Sequence, residues 1–128
     1  MKAMVPALLS VVAVLAGCAA GPPPAADFPP GARIPATGEI TSLLRGKSFT
    51  LANPNGSTTR VDHAADASSG IVVYFGGRSD SGTWRAEDGR VCYQFKTIPS
   101  ACNDVRMVGA NIYFKRGSSG QVVQLVPR

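Results

Sequence analysis

The chain predicts a mainly β fold, a small antiparallel β-barrel or sandwich of about seven to eight strands with one short N-terminal helix. Three observations predict it. After Gly46 the apolar runs are short, recur about every ten residues and are separated by turn-forming residues. Within a run apolar and polar side chains alternate, as in a strand with one buried face: Val91, Tyr93 and Phe95 lie on one side, Cys92, Gln94 and Lys96 on the other. Between two such runs stands Asp88-Gly89, a pair that tolerates the positive φ of a two-residue hairpin turn.

Taken in order, the chain divides into residues 1–17, 18–36 and 37–128. Lys2 and the apolar run from Ala3 to Ala16 have the charged start and short hydrophobic body of a secretory signal. The run is shorter than the ~20 apolar residues of a spanning helix. At its end Leu15-Ala16-Gly17-Cys18 resembles the lipobox of bacterial lipoproteins. The resemblance implies that residues 1–17 are a signal peptide and that Cys18 becomes the acylated N-terminus. With Ala19, not aspartate, next to it, the resemblance also implies a protein lipid-anchored in the outer membrane with its domain facing the periplasm. Diacylation plus an amide-linked chain makes such anchoring effectively permanent.

From Ala19 to Pro35 there are six prolines and two glycines in seventeen positions. Without apolar periodicity, this segment reads as an extended tether that spaces the domain from the membrane. Thr37 then caps the first turn of a short helical pattern, with Glu39 at its positive end and Ile40, Leu43 and Leu44 on one face. Its expected role is a plug over one open end of a sheet. Strands are expected near Ser48–Ala52, Thr59–His63, Ile71–Phe75, Thr83–Glu87, Arg90–Lys96, Cys102–Val108, Asn111–Lys115 and Val122–Val126.

Alternation also places the cysteines. Asn103, Val105 and Met107 share one face, so Cys102, like Cys92, stands on the outer face of its strand. With Cys18 acylated and the chain exported, a Cys92–Cys102 disulfide is the expectation. A redox or metal pair would need Cys-x-x-Cys spacing or a nearby histidine ligand.

The net charge is +5, and loss of Lys2 with the leader leaves 12 basic and 8 acidic side chains, or +4. These charges are dispersed, which argues against a nucleic-acid partner. His63 between Asp62 and Asp66 has part of a metal-site pattern but no third ligand, and reads as a polar strand end. Gly77-Arg78-Ser79-Asp80-Ser81 departs from a nucleophile elbow because position 81 is not glycine and strand follows. Glu87 and Asp88 are adjacent, unlike carboxylates held across a cleft. Trp84 alternates as a core anchor. No catalytic residue, cofactor or metal ligand is therefore assigned.

Larger spacing carries a resemblance. Leu43-x-x-Gly46-Lys47-Ser48, Val73-Tyr74-Phe75, Ser81-Gly82-Thr83-Trp84, Asp88-Gly89-Arg90-Val91-Cys92 and Cys102 resemble a family of small secreted proteobacterial β-proteins without an assigned activity. The loop after Phe75 departs from that pattern. The architecture is also similar to lipidated β-barrel protease inhibitors of the Gram-negative envelope, which implies Phe28 as an apolar contact to a hydrolase. The resulting expectation is a non-enzymatic outer-membrane lipoprotein whose disulfide-stapled β-domain binds or shields an envelope protein partner. The alternative is a lipidated inhibitor of a periplasmic protease or lysozyme.

Overall fold

The apolar runs after Gly46 form eight strands: β1 Ser48–Ala52, β2 Thr58–His63, β3 Gly70–Phe75, β4 Arg78–Glu87, β5 Arg90–Phe95, β6 Ala101–Val108, β7 Asn111–Lys115 and β8 Val122–Pro127. The structure, a computed structural model, describes residues 21–128; the expected signal peptide 1–17 and the expected lipidation site Cys18 lie outside the described residues. Each strand pairs antiparallel with the next, and β1 returns to β8 through Phe49 opposite Pro127 and Thr50 opposite Val126. Of the two expected architectures the chain adopts the barrel, closed by that last pairing.

Strand alternation builds the core. Phe49 and Leu51, Ile71 and Val73, Val91 and Tyr93, Val105 and Met107, Ile112 and Phe114, and Val123 and Leu125 enter the barrel pairwise from successive strands, joined by Val61 and Trp84. Each large apolar side chain so buried contributes about 1.5–3 kcal/mol. One strand differs from expectation by more than a single residue: β4 starts at Arg78, five residues early, and absorbs polar residues read as loop. Pairing outweighs their weak β propensity, because Tyr74 opposes Ser79, Val73 opposes Asp80 and Val72 opposes Ser81. The turn shrinks to Gly76-Gly77.

The helix α1, Thr37–Leu44, closes one end of the barrel, inserting Ile40 and Leu44 into the core. Its cap differs from the sequence reading. Thr37 is the first helical residue, Ala36 is the N-cap, and the acceptor comes from the β4–β5 turn. Asp88 Oδ1 accepts the Thr37 backbone N–H at 2.8 Å and its hydroxyl at 2.9 Å. The Thr37 N–H, then its hydroxyl, hold the Asp88 carboxyl below its usual range. In that turn only Gly89 has positive φ, 66°.

The proline-rich segment, expected to be an extended tether, runs through bends and a turn and is held against the barrel. Ala25 and Val122 exchange backbone hydrogen bonds of 2.9 and 2.8 Å, and Arg33 and Met107 exchange bonds of 2.9 and 3.0 Å. The reason lies in two unpaired strand edges. β8 outruns β1, whose pairing to it covers only Val126 and Pro127; β6 outruns β5, which begins opposite Asp104. Ala25 and Arg33 supply N–H groups that the neighbouring prolines lack. Val122, outward by alternation between the core residues Val123 and Leu125 and the solvent side, is only 3% exposed beneath this strap. The strap reaches back to Gly21, where a methyl group would lie 2.7 Å from Val126 Cγ2.

Candidate functional site

Because α1 stoppers the end where β1 begins, the opposite end, where β1 finishes at Ala52 and β2 starts at Thr58, is the open one. A cavity of about 560 Å³ enters the barrel there. Leu51, Val73, Phe95, Phe114 and Val123 form its apolar walls, and Ile98 of the β5–β6 loop forms one lip. The lip is fixed from β4: Asp80 Oδ2 accepts the backbone N–H groups of Thr97 at 2.9 Å and Ile98 at 2.8 Å. Led by the Ile98 N–H, these bonds hold the Asp80 carboxyl below its usual range.

Polar groups gather on the rim. Arg116, one position past β7, keeps the inward parity of Ile112 and Phe114 and is, among the described residues, the one charged residue lining the cavity. Its Nη1 donates to Asn53 Oδ1 at 3.3 Å, and Asn53 Nδ2 donates to Thr59 Oγ1 at 3.0 Å. Burial pulls the guanidinium below its ordinary pKa. Among the described residues no carboxylate lies within 4.0 Å of it.

At the cavity floor Tyr93 meets His63. His63 does end β2, but it is buried: it lies on the inward side with Thr59 and Val61 and is 5% exposed. Lys47 O, which can only accept, takes Nδ1–H at 3.1 Å, so Nε2 carries the lone pair and accepts the Tyr93 hydroxyl at 2.8 Å. Trp84 stands edge-on to the imidazole, centroids 5.3 Å apart. Burial pushes the imidazole pKa down to about 4, against the opposing pull of Lys47 O and the Asp62 charge, and pushes the Tyr93 hydroxyl up.

The other candidates are dispersed. Asp62 faces outward and pairs with Arg60 at 2.8 Å, Asp66 accepts from Ser68, and Glu87 pairs with Arg85 at 3.3 Å. Among the described residues no three His, Cys, Asp or Glu side chains converge as a metal site. Ser79 and Ser81 lie within β4. Cys92 opposes Cys102 in register on the outer face, with their sulfurs bonded at 2.06 Å. Phe28 lies under the Arg106 guanidinium, 5.3 Å from ring centroid to Cζ.

Sequence reasoning missed Arg116, Asn53 and Asp80. Arg116 had a signal: it continues the inward parity of Ile112 and Phe114 just before the Gly117–Gly120 turn. Compared with protein-family models, curated proteins and solved structures, the chain matches none.

Proposed function

We propose that this is an exported, non-catalytic binding protein, lipid-anchored in the outer membrane through Cys18, that takes its partner at the open end of the barrel. The observation that carries the reading is the asymmetry of the two ends. One is stoppered by Ile40 and Leu44, and the other opens into an apolar cavity rimmed by a half-buried cation. The anchor reading is supported by the leader and by Leu15-Ala16-Gly17-Cys18.

The strap changes how an anchor would act. Cys18 is three positions before Gly21, which already lies against β8, so at ~3.6 Å per residue the chain can carry an acylated Cys18 no further than about 11 Å from that contact. A protein anchored there carries its barrel on the lipid surface, not nanometres above it. The inhibitor reading needs Phe28 to be presented to a hydrolase, and Phe28 is instead engaged by Arg106.

A photo-crosslinking amino acid tests the site. Placed at Ile98 on the open lip it should capture envelope components, while at Lys47, exposed by the stoppered end, it should capture none. Capture from Lys47 alone, or equally from both, would contradict the reading.

A further inference from the structure

We propose that the open end binds a single-chain amphiphile with an anionic headgroup, the chain lying between the strand walls and the headgroup on Arg116. This deepens, and rests on, the reading of the open end as the binding site.

The cavity selects on two grounds. Its walls are apolar, and its volume of about 560 Å³ lies within the ~300–1,000 Å³ of small-molecule sites. A wholly polar ligand would leave those walls uncompensated. The second ground is charge: among the described residues Arg116 is the one charged residue on the lining, so a cationic headgroup meets a like charge and no carboxylate there. Most carboxylates of the described residues are otherwise engaged, with Asp80 turned to the lip amides and Asp104 to Arg90 at 3.4 Å. Among the described residues the guanidinium makes one side-chain hydrogen bond, to a neutral amide, and its other donors form a planar fork suited to carboxylate or phosphate.

The rim holds that fork in place. Asn103 Oδ1 accepts the Gly117 N–H at 3.0 Å, which ties the residue after Arg116 to β6. The Arg116 carbonyl accepts Gly120 N–H at 2.7 Å and closes the turn. The cation is therefore mounted on a fixed loop above an apolar well, the arrangement an amphiphile with one charged end requires.

Calorimetric titration of the full chain carrying Cys18→Ser with dodecanoate, dodecyl phosphate and dodecan-1-ol, each below its micellar concentration, tests this. At least one anion should bind one to one and at least tenfold tighter than the alcohol, and the tighter anion identifies the headgroup as carboxylate or phosphate. Arg116→Met should reduce anion affinity to that of the alcohol, Arg116→Lys should retain part of it, and Ala101→Trp, in the cavity wall, should block all three. Circular dichroism and the intact disulfide establish that each variant is folded. If the alcohol binds and Ala101→Trp blocks it, yet neither anion binds tighter or Arg116→Met changes nothing, the anionic class is overturned while the open-end site stands. If none of the three binds and Ile98 captures nothing, both are overturned.

Discussion

Tyr93 and His63, thirty residues apart on β5 and β2, are joined across the barrel interior by a 2.8 Å hydrogen bond from the tyrosine hydroxyl to Nε2. The bond requires a neutral imidazole. Because the folded pKa, about 4, lies below the ~6.5 of an unfolded histidine, the unfolded chain binds the proton first. Stability is therefore full above pH 6.5, declines as pH falls from 6.5 toward 4, and loses about 3 kcal/mol in all. The shifted aspartates act below this window, since their folded values lie under ordinary ones. His63 is the one histidine, so its imidazole NMR signal is unambiguous. It should not titrate between pH 8 and 5; a midpoint near 6.5 would contradict the buried neutral pair.

The Cys92–Cys102 bridge closes a short loop, its cysteines ten positions apart. In the chain-entropy account it contributes about 2.5–3 kcal/mol, a large share for so small a domain. Joint Cys92→Ser and Cys102→Ser substitution should lower Tm by ~10 °C or more while preserving the β spectrum. Mass spectrometry of the protein purified without reductant should find no free thiol at either position.

Gly82 faces the backbone of β5. A methyl group built on it would lie 1.8 Å from the Gln94 carbonyl oxygen, a clash no side-chain rotation relieves. Gly82→Ala should push β4 from β5 and cost at least about 3 kcal/mol, measured by chemical denaturation. An unchanged midpoint would show that β4 and β5 do not approach so closely.

The strap makes its own prediction. The amides of Ala25 and Arg33 donate to Val122 and Met107, so both should be protected from hydrogen exchange. A free proline-rich tether would exchange them at the rate of an unstructured chain.

Much of the barrel was legible because period-two alternation repeats through Val91-Tyr93-Phe95, Val105-Met107 and Ile112-Phe114, and a single pattern suffices to place eight strands. The same parity places Thr59, His63 and Arg116 inward, but polar residue type suggests the opposite. Tertiary partners decide those positions: Tyr93 and Lys47 accommodate the imidazole, and the rim accommodates the guanidinium. The strap was illegible for another reason. Its docking depends on where β1 and β5 stop relative to β8 and β6, and such edge lengths emerge only when the sheet closes. Asp88 likewise shows as a turn residue in sequence, while its partner Thr37 lies fifty-one positions away.

The central claim, a barrel fastened to the membrane through Cys18, is tested most directly by labelling cells with radioactive palmitate. The wild-type chain should incorporate label and Cys18→Ala should not. Equal labelling of both, or none in the wild type, would contradict the account.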